Sequence, residues 1–281
     1  MTARRALPLV ALLLTALLLM GCGVPRPAPA PVVPPGQVQA LATQTRFDAA
    51  ADRRFQITIT NPGPLPYTVT SVRLESPGFA PAPASARDDP FPPGIRYDLP
   101  AAYGPARCDR QPEPATAVVG LHRDGGPTGT VRVPLPSADG LLARLHAREC
   151  AAVELARQVQ VGLVDLAPAG AGVLRGQLRV RRGSWAGDVT VTELRDSVLF
   201  AFSLALPVRL APGATVLDVP VEVRPATCAA HRIADAKQPY LFPLFLSLGD
   251  GRAQGVDLPT TPDQQAAMYE LTRTVCATGS R

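Results

Sequence analysis

Two stretches of this chain end at a cysteine in the same way: PGIRYDLPAAYGPARC, residues 93–108, and PGATVLDVPVEVRPATC, residues 212–228. Each contains an aspartate, an aliphatic residue and a proline at the same distance before the cysteine, Asp98-Leu99-Pro100 in the first and Asp218-Val219-Pro220 in the second. Agreement in both residue type and spacing indicates an internal duplication, which has to be recognised before a fold is assigned.

The similarity extends to both sides of these stretches. Upstream, GQVQALATQTR from Gly36 matches RQVQVGLVDLA from Arg157. Downstream, GTVRVPLPSADGLLARLHAREC ends at Cys150 and QGVDLPTTPDQQAAMYELTRTVC ends at Cys276. Each downstream stretch predicts a short strand, a polar cap and about three helical turns. The sequence therefore predicts two homologous domains, residues 37–155 and 156–277, joined by a short link near residues 154–157.

The two terminal helices differ in their predicted N-caps. In the second copy, Thr261 is the predicted cap, with Pro262 at the first helical position. In the first copy, Ser137 or Asp139 is the predicted cap, although Gly140 weakens the start of that helix.

Strand signals recur at short intervals within each copy. In FQITITN, from Phe55, apolar residues alternate with polar ones, which is typical of a strand with one buried face. The predicted strands of the first copy are residues 37–45, 55–60, 66–74, 95–99, 116–122 and 130–135. About seven short strands per copy, punctuated by the 32 prolines and 23 glycines of the chain, predict an all-β protein of two immunoglobulin-like sandwiches, each ending in a short helix. A small barrel is the alternative, because strand count alone does not separate the two.

The cysteines predict two bridges. Apart from Cys22, the chain has four cysteines, an even number that suits an oxidising location. Four cysteines allow three pairings, and the repeat selects Cys108 with Cys150 and Cys228 with Cys276. The sequence contains no Cys-x-x-Cys pair of the kind that binds zinc, so no metal ligands are predicted.

Sequence motifs for catalysis are missing as well. The chain has no Gly-x-Ser-x-Gly elbow, no His-Glu-x-x-His helix and no phosphate-binding lysine loop. Its three histidines, His122, His146 and His231, are scattered and predict structural roles. Asp98 and Asp218 occupy equivalent positions in different copies, which favours a structural role for them too. No catalytic or cofactor-binding residue is predicted, and no cofactor.

Two stretches are candidates for interaction surfaces. QPYLFPLFLSLGDG, from Gln238, holds the densest aromatic cluster, but its alternation before Gly249-Asp250-Gly251 favours a buried strand followed by a hairpin turn. Trp185, the only tryptophan, lies in RRGSWAGD and is predicted on a loop, where it is a possible contact for a partner.

The N-terminus has the parts of an export signal. Arg4 and Arg5 precede an apolar run, residues 6–20, and small Gly21 precedes Cys22. Leu19-Met20-Gly21-Cys22 resembles the lipobox of bacterial lipoproteins, which implies removal of residues 1–21 and acylation of Cys22. An ordinary cleaved signal and an uncleaved anchor helix are the alternatives. Residues 22–36 are rich in proline and alanine and predict an extended stalk.

Net charge separates this chain from nucleic-acid binders. The formal charge is +5, of which Arg4 and Arg5 lie in the predicted signal, and the other basic residues are scattered among aspartates and glutamates. Nucleic-acid binding requires basic residues clustered on one face, so no nucleic acid is expected as a partner. The preference for arginine over lysine, with much alanine and proline, is typical of a GC-rich genome such as that of an actinobacterium.

Taken with Cys22 and the stalk, the duplicated cysteine framework resembles bacterial lipoproteins built from tandem immunoglobulin-like modules. The resemblance implies attachment to the cell membrane on its extracytoplasmic face and no defined activity. The leading hypothesis is a non-enzymatic binding or structural module that recognises an envelope protein or a cell-wall component. The alternatives are an accessory component of an envelope transport or secretion assembly, and a hydrolase with an unrecognised site. A deep cleft between the domains lined by Asp, Glu or His would favour the hydrolase.

Overall fold

The computed structural model describes residues 32–34, 36–50, 52–170 and 172–278. The predicted signal, Cys22 and most of the predicted stalk lie outside these residues. Within them, no helix is both long and apolar enough to span a membrane.

The first copy contains seven strands and two helices. In chain order they are β1 (Gln39–Thr43), α1 (Arg46–Ala50), β2 (Arg54–Thr60), β3 (Tyr67–Glu75), β4 (Ser85–Phe91), β5 (Arg96–Ala102), β6 (Thr116–His122), β7 (Thr128–Pro134) and α2 (Leu141–Gln158). A 3₁₀ turn, Ala138–Gly140, precedes α2. The strands form two antiparallel sheets, β1-β2-β5 and β4-β3-β6-β7.

The second copy repeats this plan with one additional strand. Its elements are β8 (Val159–Pro168), β9 (Leu174–Arg182), β10 (Val189–Leu194), β11 (Phe200–Ser203), β12 (Val208–Leu210), β13 (Val216–Pro225), α3 (Ala230–Asp235), β14 (Pro243–Leu248), β15 (Gln254–Asp257) and α4 (Pro262–Thr278). Its sheets have the orders β8-β9-β13-β11 and β12-β10-β14-β15.

Strand order identifies both copies as immunoglobulin-like sandwiches. In the first copy, one sheet contains β1, β2 and β5 and the other contains β3, β4, β6 and β7. Their counterparts in the second copy pair in the same order: β8, β9 and β13 in one sheet, and β10, β12, β14 and β15 in the other. The extra strand β11 adds to the edge of the first sheet beside β13. The predicted fold class, all-β with tandem immunoglobulin-like sandwiches each followed by a helix, is confirmed.

Each sandwich has its own hydrophobic core. The first core runs from Val32 to Leu145 along the chain and the second from Leu155 to Leu271. Val32 and Val33 belong to the first core, although the proline-rich composition of residues 22–36 predicts them in the stalk. The folded body therefore begins earlier than residue 37.

The outer face of the first sheet is more buried than the alternation in FQITITN predicts. Phe55, Ile57 and Ile59 are fully buried as expected, but Gln56 and Thr58 are also buried. Helix α1 accounts for part of this, because Asp48 on the helix accepts a hydrogen bond of 2.7 Å from Gln56 Nε2. A five-residue helix leaves no periodic signal in the sequence, so it was not predicted.

The helix after the first sandwich is longer than predicted and has a different cap. It continues past Cys150 to Gln158, so residues 154–157 are helical and the predicted short link is wrong. Its N-cap is Gly140 in the left-handed region at φ 64°, and neither Ser137 nor Asp139 provides a side-chain cap. Ser137 donates to Glu113 instead, over 2.7 Å.

Both predicted bridges are present. Cys108 pairs with Cys150 and Cys228 with Cys276, with Cα atoms 5.6 Å and 5.2 Å apart. Each bridge ties the segment after the fifth strand of the shared plan, β5 or its counterpart β13, to the helix that follows its sandwich. The pairing inferred from the repeat is confirmed.

Candidate functional site: a groove between the two sandwiches

Helix α2 connects the two sandwiches without a break. Leu141, Leu142 and Leu145 near its start are buried in the first core, and Leu155 near its end is buried in the second. Residues 151–154 between these anchors are exposed. Because an α-helix resists bending unless its backbone hydrogen bonds are interrupted, α2 fixes the direction in which the second sandwich leaves the first.

A groove of about 1040 Å³ runs along the exposed middle of α2. Parts of both copies line it: the end of α1 and the turn before β2, the middle and end of α2, the start of β8, and the β14–β15 hairpin with the segment before it. Its principal lining residues are Arg53, Arg148, Glu149, Ala152, Leu155, Val159, Val161, Leu246, Val256 and Asp257. This volume is slightly above the range of about 300–1,000 Å³ that is typical of small-molecule clefts.

On one side of the groove, polar contacts hold helix α2 to the first sandwich. Arg53 Nη2 lies 3.1 Å from Glu149 Oε2, and Arg148 Nη2 donates to the Tyr103 hydroxyl over 3.1 Å. The Glu149 side chain is 17% exposed, so its carboxylate is largely enclosed by this ion pair. Burial raises the pKa of Tyr103, and the hydrogen bond and charge of Arg148 oppose that rise.

The second sandwich contributes an apolar wall and a strand edge. Leu155 and Val159 are buried, while Val161 and Val256 are half-buried where they line the groove. Strand β15 is the last strand of its sheet. An edge strand presents unpaired backbone groups on its open side, to which an extended chain is able to pair. The groove thus combines an apolar wall, a strand edge and a charged rim.

The structure does not bring the histidines together. His122 lies 3.9 Å from Asp124 at the end of β6, His146 packs beside a disulfide, and His231 lies on α3. Among the described residues, no group of three or more His, Cys, Asp or Glu side chains is arranged to hold a metal ion.

Asp98 and Asp218 make equivalent cross-strand contacts in the two copies. Asp98 accepts from Thr58 Oγ1 over 2.6 Å, and Asp218 accepts from Arg179 Nε and Nη2 over 2.7 Å and 2.8 Å. The hydrogen bonds from Arg179 hold the pKa of Asp218 below its ordinary value. Both aspartates therefore fasten neighbouring strands, and neither lines the groove.

Trp185 lies on the predicted loop, between β9 and β10, but it is half-buried against the second core. Its Nε1 donates to the Asp188 carbonyl over 2.9 Å. The loop is further held by Arg182, whose guanidinium donates to the backbone carbonyls of Trp185, Gly187, Leu210, Ala211 and Ala214. Trp185 therefore packs against the second core, while its role as a contact for a partner stays a prediction. The groove is a second candidate contact surface.

The aromatic stretch after Gln238 forms the strand and turn that its pattern predicts. Phe242 is fully buried, β14 follows, and Gly249 begins the turn at φ 56°. Phe245 lies on the other face of the strand, with the Arg195 guanidinium 4.3 Å from its ring centroid.

The groove was not predicted from the sequence, because the residues that line it come from four segments that are distant along the chain.

Comparisons with known proteins find only distant structural likenesses. No protein-family model matches the chain, and no curated protein matches it. Among solved structures, it is similar to the CsuC–CsuE chaperone–tip adhesion subunit pre-assembly complex of archaic chaperone-usher Csu pili of Acinetobacter baumannii, with 9% identity and a TM-score of 0.20 over 79% of this chain and 96% of that chain. It is also similar to red sea bream transglutaminase, with 9% identity and a TM-score of 0.22 over 80% of this chain and 32% of that chain. Likenesses this weak carry no argument, so the fold class rests on the strand pairing of the structure itself: an all-β protein of two tandem immunoglobulin-like sandwiches.

Proposed function

We propose that this chain is a lipoprotein, acylated at Cys22 and held on the extracytoplasmic face of the cell membrane. In this proposal it acts without catalysis, by binding an envelope protein or a cell-wall component in the groove between its sandwiches. The lipobox-like N-terminus supports the membrane anchor, and the groove lined by both copies supports the binding role.

The observation that carries the binding role is the continuity of α2 beneath the groove. A groove between two domains is useful for recognition only if the domains hold a fixed relation, because ordering them on binding would cost affinity. Here a single helix is anchored in both cores, and the contacts of Arg53 and Arg148 hold it to the first sandwich. These features favour a preformed site.

A hydrolase is the second candidate, because Glu149 and Asp257 both line the groove. Carboxyl groups in a cleft are able to act as general acid or base. Glu149 is engaged by Arg53, however, which favours a structural role for it. The binding role and the hydrolase role are distinguished by whether the purified protein turns over a substrate.

The test is site-specific photocrosslinking in whole cells. A crosslinking residue at Gln254, exposed at the groove, is expected to give one discrete adduct, and the same residue at exposed Val216, outside the groove lining, is not. Ala152→Trp, which fills the groove from α2, should remove the Gln254 adduct. Equal adducts at both positions, or an adduct that survives Ala152→Trp, would contradict binding in the groove. Turnover of ester, peptide or glycoside substrates that Asp257→Asn abolishes would replace the binding role with the hydrolase.

A further inference from the structure

The two disulfides have similar exposure but different surroundings. In each, the first cysteine is exposed, Cys108 or Cys228, and the second is half-buried on a helix, Cys150 or Cys276. An attacking thiolate therefore reaches the first sulfur and expels the second. The rate of such an exchange rises as the leaving thiolate is better stabilised, so the surroundings of Cys150 and Cys276 decide which bridge exchanges.

An imidazole lies beside the leaving sulfur in the first copy. His146 is one helical turn before Cys150, with Nε2 at 3.8 Å and Nδ1 at 4.0 Å from Sγ. Nε2 also lies 3.1 Å from the Arg107 carbonyl oxygen. Because a carbonyl only accepts, this contact assigns a proton to Nε2. Nδ1 is then the ring nitrogen that takes up the proton when the imidazole becomes charged, and it lies 4.0 Å from Sγ.

The ring of His146 is held in that position. It is 9% exposed, and Phe79 packs edge-on against it with centroids 5.5 Å apart. A charged imidazole next to a cysteine favours the thiolate form.

The second copy lacks this group. The residue one turn before Cys276 is Thr272, whose hydroxyl donates to the Met268 carbonyl over 3.2 Å. Cys276 Sγ itself lies 3.9 Å from the Thr227 carbonyl oxygen. Cys276 also lies in the last turn of α4, where the helix dipole disfavours negative charge, whereas Cys150 is in the middle of α2.

We propose that Cys108–Cys150 is a thiol-exchange site and that His146 stabilises the departing Cys150 thiolate. The thiolate of a dithiol reductant attacks Cys108 Sγ, a mixed disulfide forms, and the Cys108–Cys150 bond breaks with its electron pair leaving on Cys150. The second thiolate of the reductant then attacks the reductant sulfur that is bonded to Cys108 Sγ. A disulfide forms within the reductant, and the Cys108 thiolate is released. The reductant loses two electrons and becomes a disulfide, and the bridge gains them as two thiolates that take up protons.

Exchange at this bridge affects the groove, because Cys150 lies on α2. The bridge ties the middle of α2 to the segment after β5. Its opening removes that tie next to Arg148 and Glu149, the residues that hold α2 to the first sandwich. The Cys228–Cys276 bridge ties α4, which does not line the groove.

The test measures both bridges in one molecule. The purified mature protein is treated with limiting dithiothreitol, alkylated at intervals, and the peptides that contain Cys150 and Cys276 are quantified by mass spectrometry. Cys108–Cys150 is expected to open about ten times faster than Cys228–Cys276. Equal rates, or faster opening of Cys228–Cys276, would overturn the proposal.

Two variants separate the imidazole from simple accessibility. Gln in His146→Gln keeps an N–H donor for the Arg107 carbonyl but carries no charge, so the Cys108–Cys150 rate should fall to that of Cys228–Cys276. Thr272→His places an imidazole in the second copy and should speed its bridge. A rate that His146→Gln leaves unchanged or raises would overturn the role of His146, and circular dichroism of the oxidised variant establishes that its fold is intact.

Discussion

Asn61, the only asparagine of the chain, is fully buried at the turn after β2. Its Nδ2 donates to the carbonyls of Leu65 and Phe91 over 2.9 Å and 2.8 Å, and its Oδ1 accepts from the Gly63 amide over 3.1 Å. The sequence predicts a turn at Asn61-Pro62-Gly63, but not that one amide side chain would join the turn to β4.

Replacing Asn61 should therefore destabilise the first sandwich. Asn61→Ala leaves buried carbonyls without a donor, and we expect it to lower the free energy of unfolding by about 1–3 kcal/mol. Asn61→Asp keeps the acceptor for Gly63 but loses both donors and buries a charge, so it should be at least as damaging. Urea unfolding of both variants measures this, and an Asn61→Asp variant as stable as the wild type would contradict the assigned contacts.

Asp218 allows a test of electrostatics by pH. Hydrogen bonds from Arg179 hold its pKa below the ordinary value of 3.8, against an opposing contribution from desolvation. Since the folded-state pKa is lowered, the stabilisation is present above the unfolded-state pKa and is lost as pH falls through the folded one. In an NMR titration, Arg179→Gln should raise the midpoint of Asp218 towards 3.8. A midpoint that does not move would show that the bidentate pair is not formed in solution.

At the scale of elements, the sequence predicts well those helices and strands that recur in both copies or that follow a local rule such as helix capping. At α4, Gln264 N–H donates to Thr261 Oγ1 over 3.2 Å and Thr261 N–H donates to Gln264 Oε1 over 2.9 Å, a capping box at the predicted N-cap. Strand β4 was missed, because SARDDPF is charged and contains a proline, as suits an edge strand. The end of α2 was missed although residues 151–158 favour a helix, because the match to the next copy begins at Arg157 and suggested a link there.

Helix α2 gives the sharpest test at this scale. Proline at Ala152 removes a backbone hydrogen bond and clashes with the preceding turn, so we expect Ala152→Pro to cost about 3 kcal/mol or more. Because α2 fixes the relation between the sandwiches, their orientation should also loosen, which small-angle scattering detects as a larger radius of gyration.

The control is Ala152→Gly, which weakens the helix by only about 1 kcal/mol. It should leave the scattering profile unchanged. If Ala152→Pro also leaves the profile unchanged, contacts other than α2 must hold the sandwiches together.

At the scale of the whole molecule, the groove escapes sequence reasoning because it depends on how two copies of one fold are joined. The copies share strand order, yet the chain enters them differently. Val32 and Val33 pack into the first core ahead of β1, whereas the helical residue Leu155 enters the second core ahead of β8. A helix in place of a loop at this entry leaves the exposed middle of α2 as the floor of a groove, and no repeat comparison reveals that difference.

The entry of Val32 into the first core also bears on the proposed tether. It leaves residues 22–31 to connect Cys22 to the folded body, and an extended proline-rich segment of that length reaches roughly 30 Å. The groove would then be held near the membrane surface. Each methylene of an acyl chain that is buried in the bilayer contributes about 0.8 kcal/mol to the free energy of membrane binding. Several chains on Cys22 should therefore retain the protein in the membrane fraction.

We therefore expect intact-mass analysis of the membrane-bound protein to find an N-terminus at Cys22 with added acyl mass. Cys22→Ser should leave the protein without acyl mass, either released from the membrane or as unprocessed precursor. The sandwiches of this variant should keep both disulfides and the same melting temperature, because Cys22 takes part in neither bridge. A mature N-terminus elsewhere, or a wild-type protein that leaves the membrane fraction without detergent, would contradict lipid anchoring while leaving the groove and its crosslinking test unaffected.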